Sequence, residues 1–85
     1  MAVYGFTEEE VLLFLSMFEK TPVWRDWRRE TVAGVTAALH VQAVGRETPL
    51  IFHKASESYY MSTGTPGASF YGSFDELLRD AACGW

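Results

Sequence analysis

From Val11 to Phe18 the chain reads Val-Leu-Leu-Phe-Leu-Ser-Met-Phe, and on a helical wheel Val11, Phe14, Leu15 and Phe18 form one stripe. The start of this helix is marked in the sequence. Thr7 and Glu10 make a T-x-x-E capping box, Phe6 and Val11 are spaced as a hydrophobic staple, and Glu8, Glu9 and Glu10 meet the positive end of the helix dipole. Leu13 and Met17 point away from the stripe. A helix apolar on several sides is usually covered on several sides, so a second surface is expected over Leu13 and Met17, either another helix or a second copy in a homodimer.

Thr21-Pro22 reads as a cap followed by proline at the first helical position, which predicts a second helix from Pro22 to about Glu30. On that helix Val23, Trp24 and Trp27 share one side, and Arg25, Arg28 and Arg29 form a basic stripe on the other. From Val35 the period changes to two, with Val35, Ala37, Leu39, Val41 and Ala43 alternating with a more polar set that includes His40 and Gln42. Residues 31–38 admit either a continued helix or the start of this strand. From about Leu39 to Val44 only the strand reading applies.

Gly45 to Thr48 is a turn, Pro49 to Lys54 a second strand, Ala55 to Ser58 another turn, and Tyr59 to Thr63 a third strand. Thr65-Pro66-Gly67-Ala68 suits a type II turn, and Ser69 to Tyr71 is a short extended piece. Ser73 and Glu76 then cap a last helix, with Leu77 and Leu78 beginning its apolar face and Gly84 ending it. The expected architecture is α+β, with two N-terminal helices, a three- to four-stranded antiparallel meander and one C-terminal helix in a single domain over residues 1–85.

Matching apolar faces predicts the strand register, because a slip of one residue turns a whole face to the wrong side. With residues 46 and 47 as the first loop, Val41 pairs with Phe52, Ala43 with Leu50 and His40 with His53. With 56 and 57 as the next, Phe52 pairs with Met61 and His53 with Tyr60. His40, His53 and Tyr60 then form a row across one sheet face, flanked by Gln42, Ile51 and Ser62.

Charge adds one asymmetry to this picture. The chain carries seven basic and eleven acidic residues, net −4. Residues 20–29 hold four of the basic groups and one acid, net +3, which leaves the other 75 residues at net −7. An acidic whole argues against field-driven nucleic-acid binding, whereas the local basic run keeps Arg25, Arg28 and Arg29 as a phosphate-contacting alternative. Arginine and tryptophan together also favour binding hot spots. A solvated helix face over a buried tryptophan pair accounts for the same residues without a partner.

No G-x-S-x-G, G-x-x-x-x-G-K-[ST], C-x-x-C or H-E-x-x-H motif is present. Gly64-Thr65-Pro66-Gly67 lacks the lysine of a phosphate cradle, and His40 with His53 has no third ligand placed to complete a metal site. Cys83 is the single cysteine, expected to be inert and in a reducing compartment. No basic segment precedes an apolar run at the start, and no run reaches membrane-spanning length, so a cytoplasmic protein is expected.

These features together predict a non-enzymatic protein-binding module without cofactor or metal. It would act by occupying a partner protein, as immunity proteins, antitoxins and phage inhibitors of host defence do. The expected partner-binding residues are Trp24, Arg25, Trp27, Arg28 and Arg29, together with His40, His53 and Tyr60 on the sheet face. A small nucleic-acid-associated protein using the Arg25, Arg28 and Arg29 face is the alternative.

Overall fold

A computed structural model of the chain describes residues 5–55, 58–63 and 69–84. Helix α1 spans Glu8–Lys20 and is capped as its sequence predicts. The Thr7 hydroxyl accepts the Glu10 amide at 3.2 Å, and the Glu10 carboxylate accepts the Thr7 amide at 2.8 Å. At the other end Thr21 is the C-cap, its amide donating to the Phe18 carbonyl and its hydroxyl to the Met17 carbonyl at 2.7 Å. Thr21-Pro22 therefore closes a helix and does not open one.

The expected second helix over 22–30 is a strand. β1 covers Trp24–Val32 and forms a hairpin with β2, Val35–Ala43. Ala33 and Gly34, with φ of 53° and 82°, supply the two positive-φ positions that a tight two-residue turn requires. Thr31 and Val32 before the turn and Val35 and Thr36 after it are β-branched, which suits strands. A nine-residue ladder against β2 outcompetes a helix of about nine residues, which nucleates poorly alone.

A bulge explains why the segment resembles a helix. The register shifts between Trp24, opposite Ala43, and Asp26, opposite Gln42, so that Arg25 is an extra residue. Trp24 and Trp27 would face opposite sides of a regular strand, being three apart. With the extra residue both face the core, Trp27 opposite Val41. A spacing of three on one face is also the helical pattern.

β3 (Leu50–Lys54), β4 (Tyr59–Ser62) and β5 (Ser69–Tyr71) continue the meander, and α2 spans Phe74–Gly84. The strands follow the order β1-β2-β3-β4-β5, every pair antiparallel. The α+β class holds, with five strands in place of the expected three to four and two helices, one at each end, in place of three. Ser73 caps α2 as expected, its hydroxyl accepting the Glu76 amide at 3.2 Å. Ala55 donates to the Ser58 carbonyl at 2.8 Å where a turn was expected, while the Thr65 to Ala68 turn lies outside the described residues.

Both helices pack on the sheet face that carries Trp24, Leu39, Val41, Leu50 and Phe52. Phe14 of α1 lies 5.5 Å from Trp27 and 5.8 Å from Phe52, ring centre to ring centre. Phe74 of α2 lies 4.8 Å from Phe6 and 5.4 Å from Tyr59. Phe6 and Val11, the staple pair, are both buried in this cluster. Met17 packs partly against it, whereas Leu13 stays 46% exposed. Of the two residues expected to need a second cover, one has it within the chain.

Beyond the end of β3, the segment before α1 borders β2. The Phe6 amide donates to the Thr36 carbonyl at 2.8 Å. Gly5 makes this approach feasible, since a Cβ there would sit 2.9 Å from the Val35 Cβ. A side chain would push the two backbones apart.

Candidate functional site

With the helices on one face, alternation along each strand assigns the other face. Asp26, Arg28 and Glu30 of β1, Ala38, His40 and Gln42 of β2, Ile51 and His53 of β3, Tyr60 and Ser62 of β4 and Phe70 of β5 share it. The pairings set Glu30, Ala38, His53, Tyr60 and Phe70 in one line across all five strands. Arg28, His40, Ile51 and Ser62 form the neighbouring line.

The expected pairing of His53 with Tyr60 and of Phe52 with Met61 is present. The expected pairing of His40 with His53 is not. His40 lies opposite Ile51, and His53 opposite Ala38, a displacement of two residues. The cause is a wider connection: the β2–β3 ladder ends at Val41 and Leu50, and the loop beyond is held by its own bonds. Gln42 donates to the Arg46 carbonyl at 2.7 Å, Thr48 donates to the Thr63 carbonyl at 2.9 Å, and Gly45 takes a φ of 82°. A slip of two keeps both histidines on the expected face.

Along the long row the rings of His53 and Tyr60 stack at 4.6 Å with an interplanar angle of 10°, and Phe70 lies 5.2 Å from Tyr60. Phe70 is 67% exposed, the largest apolar side chain left open on this face. His53 also sits 3.3 Å from the Ser62 hydroxyl. Burial lowers the affinity of His53 for a proton, and the nearby His40 lowers it further against the opposing pull of Glu30. His53 is therefore held in its neutral, stacking form.

His40 is 8% exposed and meets the Glu30 carboxylate at 3.1 Å. Beside it a concavity of about 320 Å³ is lined by Asp26, Trp27, Arg28, His40, Gln42 and Pro49. The three arginines expected on one stripe are dispersed. Arg25 is the bulge residue, Arg28 faces the open side opposite His40, and Arg29 pairs with Leu39 on the helix side. All three are exposed. Trp24 is buried in the core and Trp27 half-buried, so neither tryptophan stands out as a surface anchor.

Phe70 and Glu30 were not singled out by the sequence. Phe70 lies in a three-residue strand, and only its pairing with Tyr60 adds it to the row. Glu30 was read as the end of a helix. Among the described residues no group of three or more His, Cys, Asp or Glu side chains is placed to hold a metal ion. No described helix is long and apolar enough to cross a membrane. No protein-family model matches the chain, and no curated protein or solved structure is significantly similar to it.

Proposed function

We propose that this chain is a non-enzymatic protein-binding module that occupies a partner protein stoichiometrically through the open face of its sheet. Its mode of action is that of an immunity protein, an antitoxin or a phage inhibitor of host defence. The observation that supports this reading is the row His53, Tyr60 and Phe70 across three strands, the first two rings stacked and the third tilted against Tyr60, ending in a phenylalanine 67% exposed. Ordered aromatic side chains give contact area at low entropic cost and dominate interface hot spots. The polar residues around them, Ser62, Gln42 and Arg28, supply hydrogen bonds at the rim.

The test places a photo-crosslinking phenylalanine analogue at position 70 and, as a control, at Leu13 on α1. A one-to-one adduct with a single host protein is expected from position 70, and Phe70→Ala with Tyr60→Ala is expected to abolish capture without changing the circular dichroism spectrum. Capture unchanged in that double variant would reject the open face as the binding surface.

Association with nucleic acid is the second reading, favoured by Arg28 lying on the face that carries the aromatic row, where bases can stack. Asp26 and Glu30 on the same strand offset that charge, so it ranks below a protein partner. Binding of single-stranded DNA or RNA at low salt, lost with Arg28→Ala, would favour it.

A further inference from the structure

We infer that β1 pairs with the β1 of a second copy, antiparallel about a two-fold axis at Trp27, to make one continuous ten-stranded sheet. This goes beyond the proposed function and does not depend on it. β1 is an edge of the sheet and, with nine residues, is as long as any strand in it. Its outer backbone groups face no strand among the described residues. Natural edges are normally shortened, charged, bulged, covered or paired; here the bulge at Arg25 leaves Asp26 to Glu30 as a regular edge.

The side chains on the open face of β1 specify what pairs there. Asp26, Arg28 and Glu30 alternate in sign along the edge. Glu30 is engaged by His40, but neither Asp26 nor Arg28 has an ion pair or hydrogen bond among the described residues. Two residues apart on one strand, they do not meet each other. An antiparallel copy displaced so that residue numbers sum to 54 sets each Asp26 opposite the other copy's Arg28, twice per interface. Opposite charges facing across strands stabilise the pair, and like charges destabilise it.

The neighbouring registers that keep the two open faces on the same side fail on the same criterion. An axis at Arg28 would set Arg28 against itself and Asp26 against Glu30. An axis at Arg29 would set Arg29 against itself and Arg28 opposite Glu30, whose carboxylate His40 already engages. With the axis at Trp27, an indole meets its own copy on the helix side, and Arg25 falls opposite Arg29. Arg25 is the extra residue of the bulge and stands outside the regular ladder. The segment between the register shifts, Asp26 to Glu30, is the regular part of the edge and contains both charged partners.

The experiment is sedimentation equilibrium on the full chain with charge-reversed variants. The unmodified chain is expected to dimerise at micromolar concentration. Asp26→Arg and Arg28→Asp are each expected to be monomeric with an unchanged circular dichroism spectrum, since each places like charges together at both contacts. Mixing the two single variants is expected to give a heterodimer, because each supplies the charge the other lacks, and the double variant is expected to dimerise again. An unmodified chain that is still monomeric at about millimolar concentration would overturn the inference. So would variants that remain dimeric, or single variants that fail to associate when mixed. Leu13→Glu separates this interface from one on α1: the edge-paired dimer survives it.

Discussion

Glu10 on α1 and Lys54 on β3, 44 positions apart in the chain, are joined at 2.8 Å from ammonium to carboxylate. The same carboxylate accepts the Thr7 amide and the Tyr59 hydroxyl. One side chain thus closes the helix cap and fixes the helix over the third and fourth strands. Lys54 also lies 5.6 Å from the Tyr59 ring centre. Glu10→Ala leaves three donors without their acceptor, and a loss of about 2–3 kcal/mol is expected in urea unfolding. Glu10→Gln, which keeps the cap but not the charge, should lose less.

The same contacts set the response to pH. Burial favours the protonated form of Glu10, but the bonds from Lys54, Thr7 and Tyr59 outweigh it and hold the carboxyl below its ordinary 4.5. A lowered carboxyl stabilises the fold above its unfolded value and ceases to do so as pH falls through the folded one. Stability is therefore expected to drop below about pH 4.5, and Glu10→Gln should flatten that drop.

His53 adds a loss at milder acidity, from its ordinary 6.5 downward, because the unfolded chain takes up this proton first. His53→Gln should remove that step from a plot of melting temperature against pH. At the alkaline end, burial and the Glu10 carboxylate push Tyr59 up to about 12 from 10.0. The unfolded chain loses this proton first, so stability should fall as pH rises through that interval, and Tyr59→Phe should abolish the fall.

Phe14 is fully buried between Trp24, Trp27, Phe18 and Phe52. Phe14→Ala is expected to cost about 3–5 kcal/mol. Small domains have only about 5–15 kcal/mol in total, so the variant should be largely unfolded at 37 °C, with a broadened near-ultraviolet tryptophan signal. Phe14→Leu, which leaves a smaller void, should fold.

At the β1–β2 turn Ala33 carries a φ of 53°, a conformation that asparagine tolerates better than alanine. Ala33→Asn should raise the melting midpoint, by about 0.5–1 kcal/mol in stability. Gly34→Ala, at a φ of 82°, should lower it by about 1–2 kcal/mol.

What could be read from the sequence was what local chemistry decides. The Thr7–Glu10 box, the Ser73 cap and the strand from Leu39 onward each need only a few neighbouring residues, and each is present. Residues 22–30 resemble a helix in sequence because the Arg25 bulge gives Trp24 and Trp27 a helical spacing, and a bulge is defined by a partner strand that the local sequence does not name. His40 and His53 were placed on the right face and in the wrong register. The face depends on period two alone, while the register depends on a loop closed by Gln42 and Thr48. Phe70 joined the row only through pairing with Tyr60.

Among the described residues each strand pairs with its neighbours in sequence, β2 adding an isolated bridge to Phe6, and α2 returns at the end to lie against α1. The sheet can therefore assemble as successive hairpins with short loops to close, a topology that folds quickly. The two helices are different: residues from the first and last elements must meet before Phe14, Phe52 and Phe74 are sealed from water. Refolding experiments should find that α1–α2 docking is the late, slow event, with the ladder already formed. Slowing at that step, through Leu78→Ala, should leave a transient species with an exposed sheet face, visible by hydrophobic dye binding.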